Sequence, residues 1–249
     1  MWIKNQAIIV GTDHIHTKTN RQDYVLTYSD RDITCGVVCD GCSSGQFSEF
    51  GACFIANLVI KLLKTNREAT AELLTVEMMI EIKRAIDSVL FLLHDYSTTL
   101  PIDIAHFIEH HFLSTFVFCM IAGDRIIIGR CGDGLTIVNG IADIADQKNA
   151  PHYIAYNNVP KFLLSTSDLN GIEIQVLNEV EVNSIVIGTD GLVPLLEANE
   201  GHELFGTEKR QLQRKFNVWQ NKRQLFHDDV SCVVFEKVKN EDSIMRAND

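Results

Sequence analysis

Three apolar runs in this chain each end in Asp-Gly: "ITCGVVCDG" at Asp40, "IIIGRCGDG" at Asp133 and "SIVIGTDG" at Asp190. In a fourth stretch, "HDDVSCVVF", the acid at Asp228 comes first and the strand-like run second. Strand ends are rigid, so carboxylates placed there can be held together in space at little entropic cost. They do not share a site unaided: at about 4 Å two unit negative charges repel by roughly 4 kcal/mol at an effective dielectric near 20. A divalent cation relieves that repulsion, and hard oxygen ligands without His or Cys favour magnesium or manganese. The pattern points to a metal site built on strand ends.

Asp-Gly between apolar runs is also the strongest short hairpin signal. Asp133-Gly134 fits that simpler reading, because "LTIVNG" after it looks like a return strand. Asp40 and Asp190 do not. After Asp40 come small residues and then "FSEFGACFIANLVIKLL", and after Asp190 comes "LVPLLEANE", both spaced as helices.

The chain has 249 residues, 46% of them hydrophobic, enough for one large domain over 1–238 with a polar tail at 239–249. A net charge of -11 argues against a nucleic-acid surface and leaves room for a cation-loaded acidic cleft. The opening segment is too short and polar for a signal h-region, and no run reaches the length of a membrane span. Seven cysteines, several inside apolar runs, read as buried reduced thiols of a cytoplasmic protein.

Strands are expected at 6–10, 24–28 and 33–39, and helices at 46–65 and 69–98, the second with Leu73, Leu74, Val76, Met79 and Ile80 at helical spacing. "FLSTFVFCMIAG", "DRIIIGRCG" and "LTIVNG" read as three antiparallel strands joined by short turns. Residues 141–184 read as irregular, a mobile flap. A strand at 185–189, helical stretches at 191–198 and 207–218, and a strand at 230–236 complete an α+β arrangement.

In order along the chain, "GTDHIHTKTNRQD", "VVCDGCSSGQFSEFGA", "STFVFCMIAGDRIIIGRCGDG", "IVIGTDGLVPLL" and "HDDVSCVVF" resemble the motif blocks of the metal-dependent protein phosphatases, the PPM or type 2C family, and above all its compact bacterial branch. The matches are collinear over residues 11–235. The resemblance implies a four-layer αββα sandwich of two antiparallel sheets flanked by helices, with a dinuclear centre of Mn2+ or Mg2+ at one edge. Carried over residue by residue, Asp40 would bridge the two ions and the Gly41 carbonyl would be a ligand. Asp190 and Asp228 would hold one ion, Asp23 would act near the other, and Asp133 matches the acid linked to a third. Two ions about 3.5–4 Å apart acidify a bridging water to hydroxide and bind phosphate oxygens, so that hydroxide attacks phosphorus in line. Asp40, Asp190 and Asp228 are on this reading the catalytic acids, acting on phosphoserine or phosphothreonine in a phosphoprotein, with a cognate Ser/Thr kinase implied by analogy.

Some positions depart from the family pattern. Lys18 stands where the family often has a phosphate-gripping Arg, with His14 and His16 nearby; a Lys supplies a point charge without the bidentate fork. Lys18 and His14 are the candidate phosphate-binding residues. Pro194 replaces an acid that helps the third ion, so that ion is expected to be weak or absent. Asp229, where Asn is common, is expected behind the ligands rather than among them. His14-Ile15-His16 reads as a solvated pair near a strand end, and His110-His111 as surface. Cys39 and Cys42 read as structural thiols, with oxidation of Cys42 testable by mild peroxide on Cys42→Ser, and Ser43-Ser44 as a turn. Two rivals remain open: a pseudophosphatase that senses phosphopeptides, and a hydrolase of small phosphate esters.

Overall fold

The computed structural model describes residues 1–96, 103–147, 151–159, 171–207 and 211–238. The expected tail at 239–249 lies outside them. Ten strands are β1 (Trp2–Ile9), β2 (Tyr24–Ser29), β3 (Ile33–Gly41), β4 (Ser114–Ala122), β5 (Arg125–Cys131), β6 (Gly134–Val138), β7 (Ile141–Ala145), β8 (Ile172–Asn178), β9 (Ser184–Gly188) and β10 (Val230–Lys237). The α-helices are α1 (Thr12–Thr17), α2 (Ser48–Thr65), α3 (Ala71–Tyr96), α4 (Ile104–His111), α5 (Val193–Glu197) and α6 (Gln211–Arg223).

Two five-stranded antiparallel sheets form, one in the order β1-β10-β9-β6-β7 and the other β2-β3-β4-β5-β8. Period-two alternation divides their side chains between three apolar layers. In β3, Cys35, Val37 and Cys39 face Ile55, Val59 and Leu63 of α2 and Met78 and Ile82 of α3. Val38 points the other way, into the layer between the sheets with Val117, Cys119, Ile187 and Phe235. Outside the first sheet, Leu135, Val186 and Val234 pack on Leu195 of α5 and on Leu212, Phe216 and Trp219 of α6. The order of layers is αββα, as the resemblance implies. The central strand β4 is buried at every position, because it has a helix layer on one side and a sheet on the other.

The two side edges of the sandwich differ. At one, β1 and β2 meet and Thr27 Oγ1 donates to Gln6 Oε1 at 2.9 Å. At the other, Arg130 of β5 bridges to Asp143 of β7 at 2.9 Å and to Glu173 of β8 at 2.7 Å, tying the sheets across the gap.

Three expectations need correction. Asp133-Gly134 is not a hairpin: β5 and β6 lie in different sheets, and the chain crosses between them with Gly132 at φ 83° and Gly134 at φ 136°. Those left-handed values are open to glycine. The true hairpin is the next one, where Asn139 (φ 50°) and Gly140 (φ 84°) join β6 to β7, an Asn-Gly signal of the kind the sequence offers directly. The span 141–184 is not irregular throughout, since its described part supplies β7, a 3-10 turn at Ile154–Asn158 and β8. Both strands lie at sheet edges with solvent on one side, which weakens their hydrophobic pattern. Third, His14 and His16 are not an alternating solvated pair: they lie on the short helix α1 just after β1, His16 exposed but His14 half-buried against Asp229.

Candidate active site

Antiparallel pairing brings the acids together. Tyr24 pairs with Cys39 and Asp40 with Thr115, so the start of β2, the end of β3 and the start of β4 share one end of their sheet. Gly188 pairs with both Cys232 and Leu135, which puts the end of β9 and the starts of β10 and β6 at one end of the other sheet. Contact between the sheets places those two ends side by side. Asp23, Asp40, Asp190 and Asp228 thus reach one cleft from four different strand termini, and Asp133 enters from the β5–β6 crossover.

The carboxyl groups act on one another. Asp40 keeps part of its surface open, yet desolvation, followed by the charges of Asp23, Asp190 and Asp228, holds it well above the usual carboxylate range. Asp23 is 2% exposed. Burial, and then the charge of Asp229, push it up to about 8. Asp190 is raised by desolvation and by Asp228 and Asp133. Asp133 is raised by its own desolvation, opposed by a backbone bond from Gln147 N to its Oδ1 at 2.8 Å. Groups that raise one another in this way are deficient in positive charge.

The surrounding shell is fixed more firmly than the acids. Asp229, 2% exposed, accepts from Gly11 N at 2.8 Å and from Gln22 N at 2.7 Å, and His14 Nδ1 stands 2.9 Å from its Oδ2. Its carboxylate is thus taken up by backbone donors and His14. Thr12 N and Asp13 N bond to the carbonyls of Phe226 and His227, which locks α1, and His14 with it, to the loop before β10. Thr189 Oγ1 donates to Asp23 Oδ2 at 2.8 Å and accepts from Ser231 N at 3.0 Å, joining the two sheets beneath the cleft. Sequence reasoning missed Thr189 and Gln22; the only signal for each was its place immediately before an acid.

Other site residues fall as follows. Gly41 ends β3, paired with Ser114, its backbone close to Gln22 and Ser48. Lys18 is an exposed helix cap at φ 59°. His110 and His111 are half-buried rather than surface residues. His111 stacks on Phe47 and Phe107, and His110 Nδ1 receives Gln46 N at 3.4 Å, so both brace the loop after Asp40. Cys39 is buried and Cys42 half-buried, neither in a disulfide, and Ser43-Ser44 form the expected turn.

The donor set fits a hard divalent cation. The carboxyl groups are oxygen donors that repel one another, and Asp23 Oδ1 is buried with no hydrogen-bond partner. Among the described residues no three His, Cys, Asp or Glu side chains already stand at the spacing of one shared ion. The facing pairs are Asp40 with Asp23, Asp190 and Asp228, and Asp190 with Asp228.

One backbone approach is tight enough to test. A Cβ on Gly191 would run into the Asp229 carbonyl oxygen. Gly191→Ala must therefore push the Asp190 turn away from the Asp228-Asp229 loop, at an expected cost of about 3 kcal/mol or more. Urea denaturation measures the loss, and a midpoint unchanged from wild type contradicts the packing described.

Comparison with known proteins agrees with this geometry. The family model for protein phosphatase 2C matches residues 10–223. The chain superposes on the serine/threonine phosphatase Stp1 from Staphylococcus aureus with a TM-score of 0.59 at 12% identity, covering 96% of each chain. On the Mycobacterium tuberculosis serine/threonine phosphatase PstP/Ppp the TM-score is 0.58 at 11% identity, covering 96% of this chain and 99% of that one. On RsbX, solved in complex with magnesium, it is 0.53 at 12% identity, covering 94% of each. No curated protein matches in sequence. At these identities the structures speak for the fold alone; the family match over most of the chain shows that it belongs to the protein phosphatase 2C family of phosphoprotein phosphatases.

Proposed function

We propose that this chain hydrolyses phosphoserine and phosphothreonine in phosphoproteins, using two Mn2+ or Mg2+ ions at the cleft of Asp40. The observation that carries the reading is the convergence of four carboxyl groups from four strand ends, each of Asp23, Asp40 and Asp190 raised by burial and neighbouring negative charge. Asp40, Asp190 and Asp228 are the proposed catalytic acids. With Asp23 and the Gly41 carbonyl they would hold the ions, and Asp133 a weak third one at most. Bound ions would supply Lewis acidity toward water and compensate the charge of the phosphate.

The chain's own residues do the rest. His14, its Nδ1 2.9 Å from Asp229 Oδ2, and the exposed Lys18 are the proposed contacts for the incoming phosphate, of lower geometric definition than an arginine fork. Thr189 and Gln22 hold Asp23 and Asp229 in place, so the acids are positioned before substrate arrives. A cognate Ser/Thr kinase and a cytoplasmic setting belong to the same reading, and the buried thiols Cys35, Cys119 and Cys232 suit a reducing compartment.

The test is phosphate release from a phosphothreonine peptide and from p-nitrophenyl phosphate with manganese, magnesium or EDTA. Manganese- or magnesium-dependent turnover, abolished by EDTA, is expected for both substrates. Metal binding by calorimetry without turnover would leave a phosphate-sensing module instead. Turnover of small esters far above that of the peptide would reassign the substrate.

A further inference from the structure

The edge strand β7 leads into the candidate site and has no neighbour on its outer side among the described residues. It joins β6 through the two-residue turn Asn139-Gly140, with Val138 opposite Ile141. A hairpin of that length closes on a hydrogen-bonded pair, and the pairs then alternate. Ile141, Asp143 and Ala145 therefore bond inward to β6, while the N–H and C=O groups of Ala142 and Ile144 point away from the sheet. The far side of β6 agrees: Asn139 N bonds to the Ser184 carbonyl of β9, and Ile137 and Leu135, two and four residues earlier and the partners of Ala142 and Ile144, turn the same way. Nothing among the described residues takes up those outward groups.

Proteins usually blunt such an edge with charge, proline or a covering element. Among the described residues β7 has no proline and no covering element, and it carries one charge. Ile141 is 78% and Ile144 44% exposed, and its single charge, Asp143, is paired with Arg130. The β1 edge of the same sheet is closed against β2, and β8, the edge strand of the other sheet, packs against α3. β7 also has a direction. Its Ala145 end lies opposite Gly134, and two residues on, Gln147 N binds Asp133 in the cleft.

We propose that β7 is the docking edge for substrate: an extended phosphopeptide adds to it as a further antiparallel strand. This rests on the phosphatase reading above. An antiparallel strand runs from the cleft toward the Asn139-Gly140 turn, so the residues on β7 are those C-terminal to the phosphorylated side chain. Up to four backbone hydrogen bonds to Ala142 and Ile144 hold it, and a β-branched residue beside Ile144 packs on that side chain. Charge sets the second preference. The net charge of -11, with Asp143 and Glu173 sharing one Arg130 at this edge, repels a phosphopeptide unless basic residues accompany the phosphate.

The test uses a fluorescein-labelled phosphothreonine peptide with alternating Val and Arg C-terminal to the phosphoresidue, and a second peptide with the same residues on its N-terminal side. Binding is read by anisotropy, and turnover with these peptides and with p-nitrophenyl phosphate. Ala142→Pro removes an outward N–H at an edge, where proline is tolerated. Ile144→Lys places a charge on the same edge and keeps the test decisive should the proline disturb β7. Each variant is expected to weaken binding of the first peptide about tenfold, Ala142→Pro by the loss of one backbone bond and Ile144→Lys by repulsion of the peptide's arginines, and to leave p-nitrophenyl phosphate turnover unchanged. Unchanged peptide binding in both variants, or equal binding of the two peptides, overturns the docking edge while the phosphatase reading stands. Loss of binding in the variants of a chain that hydrolyses neither substrate supports docking and removes the phosphatase reading instead. A wild-type dimer in sedimentation that Ala142→Pro dissolves assigns the edge to a second copy and overturns the proposal.

Discussion

Asp40→Asn is expected to lower metal-dependent phosphate release by about a thousandfold or more, on phosphopeptide and p-nitrophenyl phosphate alike. Asp40 is the one acid that faces Asp23, Asp190 and Asp228 together. Its replacement leaves the others without the carboxylate they would share in holding cations, so binding of manganese by calorimetry should fall along with kcat. The fold should persist, because Asn keeps the side-chain volume and removes a charge that burial disfavours. A variant with wild-type turnover and intact circular dichroism would eliminate Asp40 as the centre of the site. Asp229→Asn probes the shell instead: Gly11 N and Gln22 N bond to different carboxylate oxygens, so the single amide oxygen keeps one of them and sets an NH2 against the other, and a loss of stability is expected beside the loss of activity.

The second large effect is on stability. In EDTA-treated protein, stability should fall as pH rises from about 4 to about 8, opposite to the trend set by ion-paired surface carboxylates. Asp23 has its folded-state pKa raised from 3.8 to about 8, with Asp40 and Asp190 raised in the same direction. Between the unfolded and folded values the native state holds protons that the unfolded chain has lost. The slope of unfolding free energy with pH is then negative, and it levels off above the folded pKa. The melting temperature should drop by on the order of 10 °C across that window. Manganese should reverse most of the drop by binding the native carboxylates, and Asp23→Asn should flatten the profile without metal. A melting temperature independent of pH in EDTA would show that the acids do not crowd one another as described.

Much of the site was legible in the chain, and the reasons are local. Asp40 and Asp190 could be read because each ends a strand-like run and is followed by helical spacing, a change of period visible within a few residues. Asp133 was misread by the same logic. "GRCGDGLTIVNG" has the local form of a hairpin, and nothing in it records that β5 and β6 belong to different sheets. The strands β7 and β8 were hidden for another reason: edge strands face solvent, so their alternation is diluted by exposed Ile141, Ile144 and Val176. His111 looked like a surface residue because Phe47, which covers its ring from the far side of Phe107 on its own helix, comes from a segment more than 60 residues earlier.

By itself, the order of apolar runs and acids determined that this chain builds layered α+β structure with carboxylates at strand ends, since both follow from periodicity along a single segment. Only the tertiary structure decided which strand ends meet. Pairing between distant segments sets Asp23 beside Thr189 across 166 residues and seats Asp229 on Gly11 and Gln22 more than 200 residues earlier. It also left β7 with an edge that no described residue pairs, because sheet order is fixed by the packing of two whole sheets and their helices rather than by any stretch of sequence.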